Sequence, residues 1–455
     1  MYLTNMIRKT GILLLTLALG LQTLQAQKAE AVQLNLQEAR QFALEHNHQI
    51  RSSSLDVDKA RYQVKESVSI GLPQVDVSVA YNDNIALPVQ LVPGDFFGEE
   101  GKEIEVSFGT KYNAALSGTI NQLIFSGSYI VGLQAAKTYL QQSQKQYNKS
   151  KINVIKSVSE AYFLVLATEE GIMVIDSTLQ ITRKLADETR LIFQNGFAEE
   201  TDIDQLDLLI AELEVSKRDA ETQLEIAKAY LKFHLGLQSG DEVAPKEQLT
   251  ELVEDAAVKA LLSSDFIVNN NIDFQILKNQ QELALLQLKL EKSSYLPELS
   301  AFLNYQTQAQ RQQWDFFNQS GKWFGSAIFG VNMNIPIFSS GQRSSKVKQA
   351  QFDYQKTKVT EEELKTSLSI QYETTLNDLR NALENFENTR KNKAIAEKIF
   401  RRTGIKYREG MATSLDLLNT HNQYLSSQSQ FINASLQVLN MSVSLESLLT
   451  SEFDN

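Results

Sequence analysis

Apolar residues recur at every second position in a few short stretches of this chain and at helical spacing almost everywhere else. Val75, Val77, Val79 and Tyr81 share one parity, with Asp76, Ser78 and Asn82 on the other; Leu299, Ala301, Leu303 and Tyr305 repeat the theme. Phe329, Val331, Met333, Ile335 and Ile337 in turn oppose Asn332 and Asn334. Period two predicts strands with one apolar and one polar face. An outer-membrane barrel strand of about 9–11 residues has this pattern, and so does a half-buried soluble hairpin.

The rest reads as helix. From about 128 to 195 and again from about 342 to 409 there is no proline, and charged or amide residues surround apolar stripes. At 1.5 Å per residue each stretch would run on the order of 100 Å, too long for a compact globular domain. Leu417, Tyr424, Phe431, Val438 and Leu445 follow one another at intervals of seven, and Ile152, Ile155, Tyr162 and Leu166 fit a similar scheme. Sevenfold spacing sustained this long predicts coiled-coil packing. The segment HLGLQSGDEVAP (234–245) breaks the helical pattern with Gly236, Gly240 and Pro245, and residues 240–270 read as a small mixed segment.

The chain is written twice. SIGLPQVDVSVAY (69–81) matches SYLPELSAFLNY (294–305), and INQLIFSGS (120–128) matches NMNIPIFSSGQ (332–342). FQNGFAEETDID (193–204) matches YREGMATSLDLL (407–418), where Phe193 and Tyr407 stand three before Gly196 and Gly410, and Asp202 and Asp416 six after. Three correspondences in the same order predict a duplicated unit. The expected organisation is a leader at 1–26, a first repeat at 27–238, a small segment at 239–270 and a second repeat at 271–455. Gly196 and Gly410 are where each half would reverse direction, since glycine accepts a positive φ after a helix. Thr413-x-x-Asp416 and Thr201-x-x-Asp204 both fit a capping box, in which the acid serves the backbone at a helix start.

Composition narrows the classes. Arg8 and Lys9 precede an apolar run from Gly11 to Leu21 and a polar stretch ending in Ala26, the layout of a secretory signal peptide. Without Arg8 and Lys9 the formal charge moves from −11 to −13, a poor match for nucleic acid. With no cysteine there is neither a disulfide framework nor a thiolate metal site. His46 and His48 fall on different helix faces, His234 and His421 are isolated, and no phosphate loop or nucleophile elbow occurs, so no enzyme, metal or cofactor is expected. The stretches 84–107 and 310–322 read as loops, the second carrying Trp314, Phe316 and Phe317. Trp314 and Trp323 fit an interfacial belt, or aromatics that pack on each other.

No later stretch resembles a membrane-spanning helix. Four strands cannot close a barrel, and open edges are not tolerated in hydrocarbon, so membrane strands here require several chains. A signal peptide, LQEARQFALEHN (36–47), a Leu-Pro strand, an Ile-Phe-Ser-Gly turn, a long helix and a Gly-then-Asp turn, followed by the same again, resemble the TolC family of outer-membrane efflux proteins across essentially the whole mature chain.

The resemblance implies a mainly α protein with a β-barrel part: a long coiled-coil helical tunnel across the periplasm and four transmembrane strands per chain, shared in a trimeric 12-stranded barrel in outer-membrane lipid. It implies a homotrimeric exit duct that docks on a periplasmic adaptor and an inner-membrane pump. The family spacing of Gly, Thr and Asp falls on Gly410, Thr413 and Asp416, which implies an acid ring at the periplasmic mouth. Asp202 follows the first-half pattern, and Asn419 stands where a second acid is common. The resemblance also puts adaptor docking at the turns, beside Gly196 and Gly410, with Phe193, Tyr407 and Arg408 nearby. The competing class is a periplasmic or surface coiled-coil protein without channel activity.

Overall fold

The computed structural model describes residues 32–98, 101–318 and 321–451, so the expected leader lies outside the described residues. The chain opens with strand β1 (Val32–Leu34), helix α1 (Leu36–His46) and helix α2 (His48–Ser69). Asn35 starts α1 by accepting the Glu38 N–H at 2.8 Å, while the Glu38 carboxylate accepts the Asn35 N–H at 2.9 Å. Pro73 then follows the end of α2 and strand β2 (Gln74–Asp83) begins, consistent with the extended backbone that proline imposes on its predecessor.

Next come β3 (Val89–Pro93), β4 (Glu103–Ser107), β5 (Tyr112–Ser126), α3 (Gly127–Gln194) and α4 (Glu200–Leu235). A connecting region holds β6 (Val243–Pro245), α5 (Leu249–Glu254) and α6 (Ala256–Ala260). Helix α7 (Ile272–Ser293), β7 (Glu298–Arg311), β8 (Phe324–Asn334), α8 (Gln342–Arg408) and α9 (Ser414–Leu449) complete the chain. Pro297 precedes β7 as Pro73 precedes β2.

Residues Leu55–Lys145 and Gln275–Leu364 form one compact unit. Its sheet is antiparallel in the order β2-β5-β7-β8. The register runs Val77↔Gly118↔Tyr305↔Ala327 on one face and Ser78↔Ser117↔Gln306↔Ser326 on the other. The first face carries Val75, Val79, Phe329 and Val331, with Val79 78% and Phe329 71% exposed, so most of it is left open by the described residues. The second is polar and internally bonded: the Ser78 and Ser117 hydroxyls are 2.7 Å apart, and Asn304 donates to Thr119 Oγ1 at 2.8 Å. Strands β2 and β8 end the sheet, with no further strand beside either among the described residues.

The stretch 84–107 is not simply a loop. It contains a hairpin of β3 and β4, paired from Val89↔Ser107 to Pro93↔Glu103. Pro88 and Pro93 signalled irregular chain, yet they stand before and at the end of β3, where a missing N–H is tolerated. The aromatics after β7 do pack together: Trp314 meets Phe317 at 5.8 Å and Phe316 meets Trp323 at 6.3 Å between ring centroids. Phe316 also contacts Tyr81 of β2 edge-on at 5.9 Å, which brings the loop onto the apolar face of the sheet.

The described parts of Met1–Ser54, Gln146–Phe274 and Lys365–Asn455 form the second unit. Here α3, α4, α8 and α9 contribute Val158, Tyr162, Leu231, Leu379, Phe386 and Phe431, among others, to one apolar core. The heptad residues Leu417, Phe431, Val438 and Leu445 are buried, as the sevenfold pattern requires. A second column at the same spacing, Ser414, His421, Gln428, Ser435 and Ser442, is buried too. Arg40 pins α1 to this core through a bidentate pair with Glu446 at 3.0 and 2.9 Å and a bond to Ser159 at 2.8 Å. Strand β1 pairs in parallel with β6, so the start of the described chain is stitched to the connecting region.

Candidate functional site

Both conspicuous turns lie in the helical unit, and they are built alike. After α3, Gly196 takes φ 81°. The Phe197 N–H then reaches Ile192 O at 3.1 Å and the Gly196 N–H reaches Phe193 O at 2.8 Å. After α8, Gly410 takes φ 69°. There Met411 N–H reaches Lys406 O at 2.8 Å and Gly410 N–H reaches Tyr407 O at 3.0 Å. In each case the left-handed glycine lets its own N–H and the one after it satisfy carbonyls that the helix end would orphan. The residue after each glycine projects outward: Phe197 is 84% and Met411 70% exposed.

The acid six residues after each glycine then starts the returning helix. Asp416 Oδ2 accepts the Thr413 N–H at 3.0 Å and the Thr413 hydroxyl at 2.8 Å, while Thr413 Oγ1 accepts the Asp416 N–H at 3.1 Å. Asp202 accepts the Glu199 N–H at 3.1 Å. The expected box Thr201-x-x-Asp204 is therefore corrected, because α4 begins at Glu200 with Glu199 as its cap and Asp202 in the third position. Glycine, cap and acid are spaced identically in both turns. The Thr413 backbone N–H, reinforced by its hydroxyl, holds the exposed Asp416 carboxyl below its ordinary range. That contribution to the cap is present above the ordinary carboxyl pKa and lost as pH falls through the lowered one.

Between the turns lies an open concavity of about 850 Å³ lined by Gly196, Asp202, Tyr407, Arg408, Gly410 and Thr413 together with neighbouring residues. Six of the nine residues singled out in the sequence thus share one groove, whereas Phe193, Asp416 and Asn419 are not in its wall.

Two side-chain links tie the end of α8 to α3 beside this groove. The Thr189 hydroxyl donates to Leu185 O at 2.9 Å, so it accepts from the Tyr407 hydroxyl at 3.1 Å. Arg408 Nε lies 3.1 Å from Glu188 Oε2. Burial pushes the Tyr407 phenol up, so it stays a protonated donor at any physiological pH. Pairs Arg183–Glu214, Arg190–Asp207 and Lys217–Asp176 join α3 to α4 along the same stretch. Neither Glu188 nor Thr189 stood out in the sequence, since each meets its partner only through the fold. Among the described residues no cluster of metal-ligating side chains occurs.

The model of the outer membrane efflux protein family matches residues 39–237 and 265–451. Outer membrane protein TolC of Vibrio cholerae is 23% identical over 330 residues, 70% of this chain and 68% of that protein. Among solved structures, VceC from Vibrio cholerae superposes with a TM-score of 0.71 at 14% identity, covering 92% of this chain and 97% of that one. The open state of the MtrE outer membrane channel of Neisseria gonorrhoeae gives 0.69 at 16% identity, covering 92% and 91%.

Proposed function

Because the chain belongs to the outer membrane efflux protein family, we propose that it is the outer-membrane exit duct of a tripartite efflux or secretion system. It works passively, as a homotrimer docked on a periplasmic adaptor and an inner-membrane pump. The observation that carries this reading is the sheet: a largely open apolar face, a hydrogen-bonded polar face and, among the described residues, two free edges in a four-stranded unit. Such edges are untenable in lipid unless neighbouring chains pair with them. Two chains would give eight strands and a bore filled by side chains; three give twelve and an open lumen. Among the described residues no helix is long and apolar enough to cross a membrane, so the strands supply the crossing.

The helical unit then forms the periplasmic tunnel, and the turns at Gly196 and Gly410 its inner rim. Tyr407–Thr189 and Arg408–Glu188 hold α8 against α3 there and keep the mouth narrow. Asp416 serves as both cap and constriction charge: the Thr413 bonds fall on one carboxylate oxygen, and the exposed group adds negative potential that favours cations. Phe197 and Met411, projecting from the turns, offer apolar contacts to an adaptor. A periplasmic coiled-coil rod would share the bundle but has no use for an amphipathic sheet with open edges.

The native chain has no cysteine, which permits a direct test of strand pairing between copies. Cysteine at Ser78 on edge strand β2 is combined in turn with cysteine at Ser326, Ile328 or Asn332 on edge strand β8. Oxidation of the membrane-extracted protein is expected to give a covalent trimer for at least one pairing, because paired strands bring Cβ atoms within about 4.5 Å. Monomer at every register would contradict the shared barrel.

A further inference from the structure

His421 stands in the polar heptad column of α9 and is 1% exposed. Neither Nδ1 nor Nε2 meets hydrogen-bond geometry with any described residue, Asn422 beside it gives only a small opposing pull toward the charged ring, and Gln205 Oε1 is likewise buried and unpartnered. Around the ring is a cavity of about 20 Å³, room for roughly one water. Its wall includes Thr182 and Leu185 of α3, Gln205 and Leu209 of α4, Phe400 of α8 and Ser414 of α9. Phe400 lies 5.3 Å from the imidazole and stacks on Tyr424 at 5.6 Å.

No charged side chain from any of the four helices lines this space. The charged residues flanking the wall positions are Arg183, Lys184 and Asp187 on α3, Asp204 and Asp207 on α4, Lys398, Arg401 and Arg402 on α8 and Asp416 on α9. Arg183 pairs with Glu214 and Asp207 with Arg190, while Asp416 serves its own cap. An imidazolium formed here has no counter-ion, and the low-polarity wall rejects it.

We infer that His421 is an acid-sensing point whose protonation loosens the end of the helical bundle that carries both turns. Burial pushes its pKa down to about 4. In a loosened bundle the hydrated ring titrates at its ordinary value near 6.5. The loosened state therefore binds the proton more readily, and the packed state loses ground as pH falls from about 6.5, with the whole effect reached below about 4. The polar column makes α9 the helix able to part there, since Ser414, His421 and Gln428 bring little apolar surface to the seam. Loosening widens the tunnel mouth only if the proposed duct is correct; the loosening itself does not depend on that reading.

Hydrogen exchange of the full-length protein at pH 7 and pH 5, corrected for intrinsic rates, tests it without recourse to conduction. Protection of segments 181–209 and 400–421 is expected to fall roughly thirtyfold in the wild type, tenfold for each of about 1.5 pH units below 6.5. His421→Leu, which cannot titrate, is expected to hold its protection at both pH values. An equal fall in both proteins, or none in the wild type, overturns the inference. Selective ring labelling of the four histidines provides a second check on the unmutated chain. His421 is expected to stay neutral at pH 5, and a His421 titration near 6.5 in the packed protein refutes the mechanism.

Discussion

Replacing Tyr407 by Phe and Arg408 by Ser in the same chain is expected to raise the ratio of released to latched bundle ends about tenfold per protomer, and with it the conductance of the proposed duct. Phe keeps the ring in the cluster of Leu185, Ala186, Leu206 and Leu417, so the change isolates the hydroxyl. Thr189 still donates to Leu185 O, which means that no buried donor is orphaned. The lost bond to Thr189 contributes about 1 kcal/mol. The Arg408–Glu188 pair is partly exposed, at 53% and 34% for the two side chains, and solvent screening limits it to about 0–1 kcal/mol. Together these approach the ~1.4 kcal/mol that corresponds to a factor of ten. Single-channel recording checks the outcome, and a folded double variant with unchanged conductance would remove the latch from the account.

The largest loss of stability is expected from Phe431→Ala. This ring is 2% exposed, meets Phe386 at 5.4 Å and lies 4.3 Å beneath the Lys393 ammonium. Truncating a buried Phe costs about 3–5 kcal/mol through lost transfer energy and the cavity left behind. Leaving Lys393 without its ring adds about 0.5–1 kcal/mol more. Phe431→Leu keeps most of the volume and is expected to cost about 1.5 kcal/mol. Urea unfolding followed by helical circular dichroism should rank wild type, Leu and Ala in that order. An Ala variant as stable as the wild type would mean that the heptad column is not the core of the bundle.

What sequence showed and what it hid divide along physical lines. The strands and long helices were legible because a one-sided apolar face writes its period directly into residue choice, buried in Leu417 to Leu445 and left open in Val75 to Tyr81. Both turns were legible because only glycine readily takes the φ that Gly196 and Gly410 adopt. The first cap was misassigned because threonine is a favoured cap and glutamate is not, so Thr201 drew the reading away from Glu199. Laying the two halves in glycine register puts Glu199 opposite Thr413 and Asp202 opposite Asp416, and that internal alignment would have located it.

Other features left no local trace. Thr189 meets Tyr407 across 218 positions, and no spacing rule reaches so far. The column from Ser414 to Ser442 reads as a solvated stripe, since a polar residue at a core position is visible only once its neighbours are placed. The β3–β4 hairpin was hidden by Pro88 and Pro93, whose positions at the strand's edges became clear only from the pairing.

Electrical recording from the purified mature protein in a planar bilayer bears most directly on the duct. The account predicts discrete, small and cation-favouring current steps, since in the proposed trimer the sheets would enclose a lumen and Asp416 would add negative charge at its mouth. Correctly folded, membrane-inserted protein that never passes current would contradict it.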